Sequence, residues 1–457
     1  MLRKALAALA AALVLTALAG PAAQAAPTGR TVGINVVLNT DITDGILADL
    51  ARYGKVQDVV PAIRAVTLQA RESDLAAIQA LPYVAAANPD RPRYLRPGDP
   101  VPVEDFLDGL GTWNLDAIGV TEPGLGNRQV PYDGEGVYVA VLDTGLLKTW
   151  RQYFPEERIA VEYARSFGGG GGGRGTVSEQ PNKWEHDTDS HGTHVTSTII
   201  GYNLRGVPVA GVAPRVKIIP VKVLNQNGSG WSSVVARGIT YVAELKAGPL
   251  RDHPVIINMS LGGPELDAME KAAIDYAIAQ GVIIVASAGN SGEAGMGYPA
   301  AYEPVISVAA AGWVGEWAGG SNWWYAQDVP DPTDPEDFYI TDFSSRALPG
   351  QDLDVAAPGS WIVGPYQLSS GKTSYYFLGG TSMAAPHVAG IVALMAQKKP
   401  DLTPAEAEAI LEQAAIPLPP GCRTVATPAG TLETLCWDER ATGHGLITAP
   451  AALDLTP

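Results

Sequence analysis

Three segments of the sequence set a reactive side chain among glycines and other small residues. Asp143 follows the apolar run at 137–142 and precedes Thr144-Gly145. His191 opens His191-Gly192-Thr193-His194-Val195, ahead of a helical stretch at 194–200. Ser382 stands in Gly380-Thr381-Ser382-Met383-Ala384-Ala385-Pro386, before an apolar helix expected to reach about residue 396. A serine at a helix N-terminus sits beside backbone N–H groups without intrahelical acceptors and at the positive end of the dipole. An oxyanion formed when its hydroxyl attacks a carbonyl would meet the Ser382 N–H. Asn290, delivered by Ala286-Ser287-Ala288-Gly289 at the end of another apolar run, offers a second donor. A histidine within reach takes the serine proton, and a buried aspartate orients that histidine.

These side chains need a rigid frame. Apolar runs at 137–142, 216–221, 255–259, 282–286 and 305–308 read as buried strands. Helical patterns at 194–200, 233–245 and 266–279 lie between them. Strands alternating with such helices imply an α/β domain whose parallel sheet is covered on both faces. Ligands gather at the carboxyl ends of such strands, where Asp143 and Asn290 fall. Residues 31–90 read instead as a small α+β unit: strands near 33–38, 59, 65–68 and 83–86, and helices after Asp44 and Ser73. The Pro- and Arg-rich stretch 88–98 reads as a linker.

Composition narrows the function. Of 457 residues, 46% are hydrophobic and 17% charged, a globular balance, and the net charge of −17 excludes a nucleic-acid binder or an anionic-membrane binder. Up to Arg96 there are 10 Lys/Arg and 7 Asp/Glu, so the excess acid lies in the larger part. Arg3-Lys4, an apolar run at 5–19 and Ala23-Gln24-Ala25 have the form of a secretory signal peptide; the alternative is a retained anchor. Export favours pairing of the two cysteines, Cys422 and Cys436, against two free thiols; the closed loop is worth about 3 kcal/mol.

Together the segments around Asp143, His191 and Ser382 resemble the three signatures of subtilisin-like serine proteases, the subtilases. Ser260-Leu261-Gly262-Gly263 and Ala288-Gly289-Asn290 resemble that family's substrate strand and oxyanion segment. The order Asp, His, Ser is the subtilisin order of the general template. The resemblance spans roughly 113–453. It implies a subtilisin-like three-layer domain with a central, mostly parallel sheet, preceded by a small α+β propeptide domain. It also implies a secreted serine endopeptidase with Ser382 as nucleophile, His191 as base and then acid, Asp143 as its orienter, and Asn290 with the Ser382 N–H as the oxyanion hole. The expected division is a signal peptide at 1–26, an inhibitor-like propeptide at 27–96 (ending as late as about 107), and a catalytic domain at 108–457 with insertions near 168–185 and 313–340. The propeptide would serve as folding aid and intramolecular inhibitor of a self-processed, monomeric zymogen that has no membrane attachment once the signal is removed.

By the same resemblance, protein or peptide substrates bind as an added strand along Ser229, Gly230 and Trp231 and along Ser260, Leu261 and Gly262. Gly297 would leave the primary pocket open to large apolar or aromatic residues. No cofactor is expected for catalysis. The spacing of His186, His191 and His194 lacks a zinc-protease pattern, and His194 reads as a packed core residue. Structural calcium is an expectation, at the loop 203–211 or the acidic stretch 328–337, with no ligand set assigned. Trp313, Trp317, Trp323, Trp324 and Tyr325 either pack onto the domain or form a binding platform. A degenerate, non-catalytic binder and a serine–carboxyl peptidase with a glutamate base are the competing readings. The intact triad positions and the His191 motif oppose them.

Overall fold

The computed structural model describes residues 30–95, 101–102, 111–123, 128–168, 177–320, 323–326, 329–367 and 374–457. The signal segment, most of the glycine run after Phe167 and both proposed cut regions beyond Leu95 lie outside the described residues.

The N-terminal module contains β1 (Thr31–Leu38), α1 (Asp44–Leu50), β2 (Gly54–Val60), β3 (Ala65–Arg71), α2 (Leu75–Gln79) and β4 (Val84–Pro89). Its sheet is antiparallel in the order β2-β3-β1-β4. Strand alternation sends Ile34, Val36 and Leu68 into a small core of its own, and Ile78 of α2 joins them. Asn35 and Thr67 are buried on the opposite face, where the module meets the larger domain. Beyond it the chain forms β5 (Pro92–Tyr94), β6 (Val101–Pro102) and α3 (Trp113–Ala117).

The larger domain continues with β7 (Tyr138–Asp143), β8 (Arg165–Ser166), α4 (His191–Ile200), β9 (Tyr202–Leu204), β10 (Val207–Val209), β11 (Lys217–Lys222) and β12 (Ser229–Trp231). Then come α5 (Ser232–Ala247), β13 (Val255–Met259), α6 (Ala268–Ala279), β14 (Ile283–Ser287) and β15 (Ile306–Trp313). The chain closes through α7 (Trp323–Ala326), β16 (Phe338–Ile340), β17 (Val355–Pro358), β18 (Ile362–Pro365), β19 (Tyr375–Leu378), α8 (Thr381–Lys398), α9 (Pro404–Ala414), β20 (Gly421–Ala426), β21 (Leu432–Trp437) and α10 (Ala449–Leu455).

The main sheet runs β16-β15-β14-β13-β7-β11-β8, with β17 also on β15, and only β16 is antiparallel. Helices α5 and α6 pack together on one face, and α4 and α8 on the other. This is the expected three-layer architecture. Residues of β7, β13, β14 and β15 are almost all buried because both sheet faces are covered, so their Val/Ile/Ala sequences do not alternate.

One feature departs from the sequence reading, and a second follows its packed alternative for the Trp-rich insertion. Part of the expected linker is a strand, β5, paired antiparallel with β12. The tryptophans of the later insertion turn inward: Trp313, Trp323 and Trp324 are buried, and Trp113 lies 6.5 Å from Trp313 and 6.0 Å from Trp323 between ring centroids. Among the described residues no helix is long and apolar enough to cross a membrane.

Candidate active site

Asp143 ends β7 with its side chain fully buried. Its carboxylate accepts the Thr144 N–H at 2.7 Å, and its carbonyl accepts Val223 and Leu224 N–H groups. The first residue of α4 is His191, whose Nδ1 lies 2.9 Å and 3.0 Å from the two Asp143 oxygens. This approach depends on two glycines. Gly145 takes φ 90°, and a Cβ there would stand 2.2 Å from the Trp184 carbonyl oxygen. A Cβ on Gly192 would stand 2.4 Å from the Gly145 carbonyl oxygen and 3.2 Å from Asp143 Oδ1. Ser190, just before His191, holds a left-handed φ of 79°. That conformation costs about 1–2 kcal/mol. The Ser190 hydroxyl offsets it by donating to the Gln367 carbonyl and accepting the Gln367 N–H at 3.0 Å.

Burial alone would lower the His191 pKa by disfavouring the imidazolium. Asp143, helped by Asp189 and Asp187, outweighs it and holds the pKa above the ordinary value. Asp187 is itself pushed up to about 7 by burial, against the pull of Lys222. Lys222 faces Asp143 across the β11–β7 ladder, is buried, and donates from Nζ to the Thr144 carbonyl at 2.5 Å. The sequence reading passed over Lys222 and Asp187. A lysine inside an otherwise apolar strand run was the available signal.

Ser382 is the second residue of α8, so its N–H has no intrahelical acceptor. Its Oγ donates to the Ser260 carbonyl at 3.2 Å, while the Ser260 hydroxyl donates to the Ser382 carbonyl at 2.7 Å. His191 Nε2 is buried without a hydrogen-bond partner, so the Ser382–His191 bond is not made in this state. Asn290 is fixed by its Oδ1, which accepts the Thr381 N–H at 2.9 Å and the Thr381 hydroxyl at 2.8 Å. A Cβ on Gly380 would lie 3.3 Å from Asn290 Nδ2, so the amide end faces the turn that leads into Ser382.

The two expected substrate edges flank one strand of the chain itself. In β5, Pro92, Arg93 and Tyr94 pair with Trp231, Gly230 and Ser229. On the other side Tyr94 exchanges bonds with Gly262 at 3.0 and 3.3 Å, and Leu95 N–H reaches the Gly228 carbonyl at 2.8 Å. Beside this strand lies a cavity of about 450 Å³ whose lining includes Leu261, Asn290, Met296, Gly297 and Ser382. The N-terminal module also docks through carboxylates at helix N-termini. Asp90 accepts the Ser233 N–H at 3.0 Å and both the Ser232 and Ser233 hydroxyls at the start of α5. Asp267 caps α6 and also receives Asn35 and Asn88.

Away from the cleft, Cys422 and Cys436 form a disulfide across the β20–β21 hairpin. His194 is buried, its Nε2 3.0 Å from the Ile362 carbonyl, and burial lowers its pKa to about 3. The loop after Asn203 uses that side chain internally: it accepts the Gly206 N–H and donates to the Gln152 carbonyl. Asp331 and Asp334 of the acidic stretch accept bonds within their own turns. Among the described residues neither expected calcium position brings three acidic or histidine side chains together. Asp352, Asp354 and Glu412 do converge, within 4.8 Å, and Asp354 Oδ1 is buried without a partner, a donor set that fits a hard cation.

The model of the subtilase family matches residues 134–445. The thermostable alkaline protease of Halalkalibacterium halodurans is 34% identical over 270 residues, covering 59% of this chain and 59% of that protein. Subtilisin DY of Bacillus licheniformis is 34% identical over 277 residues, covering 60% of this chain and 81% of that one. Among solved structures, fervidolysin from Fervidobacterium pennivorans, described as a keratinolytic enzyme related to subtilisin, superposes with a TM-score of 0.66 at 26% identity, covering 94% of this chain and 62% of its own.

Proposed function

The chain belongs to the subtilase family, and we propose that it is a secreted serine endopeptidase made as a self-inhibited zymogen. One observation carries this reading. Ser382 and Asn290 line one cavity with Pro92 and Tyr94 of the chain's own β5, which lies between the two strand edges, and the bonded Asp143–His191 pair supports the reading beside it. In this reading Ser382 Oγ turns from the Ser260 carbonyl toward His191 Nε2 once a substrate carbonyl is in place. Oγ attacks the carbonyl carbon and its proton passes to Nε2. Asp143 holds Nδ1 and stabilises the imidazolium. The oxyanion receives the Ser382 N–H and the Asn290 amide. His191 then gives the proton to the leaving amine, the C–N bond breaks, and an acyl-enzyme forms on Ser382. Water, activated by the same imidazole, releases the acid.

The N-terminal module supplies the inhibition by filling the edges that substrate needs. The 450 Å³ cavity and the side-chain-free Gly297 support a preference for large apolar or aromatic residues before the scissile bond. A calcium ion on Asp352, Asp354 and Glu412 would be structural, because these residues take no part in the triad. Intact mass and N-terminal sequencing of the secreted wild type beside Ser382→Ala tests the reading. The wild type should lose roughly the first 95–107 residues and digest casein, and the variant should do neither. Casein digestion by purified Ser382→Ala at the wild-type rate overturns it.

A further inference from the structure

The strand lying in the cleft carries a charge into the protein interior. Along β5 side chains alternate: Tyr94 is 44% exposed, whereas Arg93 is fully buried. The Arg93 guanidinium meets Glu270, also fully buried, through Nε–Oε1 at 3.1 Å and Nη2–Oε2. Two further donors are used as well, with Nη1 on the Pro92 carbonyl at 2.9 Å and Nη2 on the Glu265 carbonyl at 3.3 Å. A Cβ on Gly263 would lie 2.6 Å from Nη1, so the backbone closes directly on the guanidinium. Apart from Pro92 and Asp90, the groups around Arg93 belong to the larger domain and stay with it when the N-terminal module leaves.

Register places this pocket relative to the nucleophile. In antiparallel pairing, two steps forward on one strand meet two steps back on the other. Tyr94 faces Gly262, so in any bound chain the residue two beyond that position faces Ser260. The Ser260 carbonyl holds Ser382 Oγ, so that residue presents its carbonyl to the nucleophile. The position of Arg93 is three residues upstream of the attacked one.

A buried carboxylate stripped of its cation is strongly unfavourable, and burial already raises Glu270 with Arg93 opposing. A planar guanidinium matches the two carboxylate oxygens in a way a lysine ammonium does not. We propose that the mature cleft selects an arginine three residues upstream of the residue whose peptide bond is cut, with Glu270 as the selecting residue. This rests on the endopeptidase reading and adds a charge requirement to its apolar primary pocket.

The test measures kcat/KM of matured wild type on tetrapeptide amides with a constant Phe next to the cut and Arg, Lys, norleucine or Ala four positions before it. Arginine should exceed norleucine by at least about tenfold, with lysine between. Glu270→Gln should bring the ratio toward one, and Glu270→Leu should reverse it. Equal kcat/KM for all four peptides in wild type, whose folding is not in question, overturns the inference and leaves the endopeptidase reading standing. Arg93 would then serve only to dock the N-terminal module. Absence of any Ser382-dependent turnover overturns the endopeptidase reading, and this inference with it.

Discussion

Gly297→Val should redraw the preference at the residue before the cut. A Cβ at 297 would stand 3.4 Å from the Gly263 carbonyl oxygen and 3.7 Å from its nitrogen, which is ordinary contact. The Gly297 N–H donates to Ala288 at 2.9 Å and its carbonyl accepts from Ala301 at 2.9 Å; neither bond involves a side chain. The backbone therefore accepts valine, and its methyl groups take up part of the 450 Å³ cavity. Burying a phenyl ring fully in wild type is worth about 2 kcal/mol over leaving the pocket unfilled, or roughly 30-fold in kcat/KM for Phe over Ala. In the variant the ring must displace the new methyls, and overpacking costs about 1–3 kcal/mol. The Phe-to-Ala ratio should fall to near one, while Ala substrates keep kcat/KM within a few-fold of wild type. The assay is a peptide series varied only at that position with Phe, Leu, Ala, Arg and Asp. An unchanged Phe-to-Ala ratio in Gly297→Val would place the pocket elsewhere. A wild-type preference for Arg or Asp would refute the apolar pocket itself.

Two other outcomes follow from the geometry. His191 must be neutral to take the serine proton, so activity rises with pH through its pKa. Asp189 is one of the anions that raise that pKa, and Asp189→Asn should move the acid limb of kcat/KM to lower pH, with the opposite shift refuting the assignment. The disulfide closes a loop between residues 14 apart, so Cys422→Ser/Cys436→Ser in a Ser382→Ala background should lose about 3 kcal/mol in urea unfolding, and no loss would mean the β20–β21 hairpin opens before the domain does.

Much of this was legible because strand ends and helix starts carry their own signals. Uninterrupted Val/Ile/Ala runs marked β7, β13 and β14, since strands covered on both faces need no polar alternation. Asp143, His191 and Ser382 stood at the boundaries of such runs. The Pro92–Tyr94 segment was misjudged because proline reads as a strand breaker. Pro92 occupies the first position of β5, where no N–H is required, while the Tyr94 N–H reaches the Gly262 carbonyl and the Leu95 N–H the Gly228 carbonyl. The buried charges were illegible for another reason. Arg93 and Glu270 are 177 positions apart, and neither looks buried until the other is beside it. Lys222 likewise reads as a surface residue until Asp143 and Asp187 are placed near it.

If the chain is the self-inhibited zymogen proposed above, those buried charges bear on how its N-terminal module is held and then released. Val60, Ile63 and Ala65 join the apolar core of the larger domain, but the centre of the interface is polar: Asn35, Asp90 and Arg93 meet Ser232, Ser233, Asp267 and Glu270. Such groups bond well when aligned but gain little net free energy, because water bonds them nearly as well once they separate. While the chain is continuous, the tether keeps the module at a high effective concentration and the cleft stays filled. After a cut that advantage is gone, and each group on the departing module returns to water at small cost. Glu270 stays with the larger domain, and departure of β5 strips it of the guanidinium that pairs it in the docked state. In this reading the residue that favours docking of the module is also the one left requiring a new guanidinium, which ties release of the inhibitor to recognition of the next arginine-bearing chain.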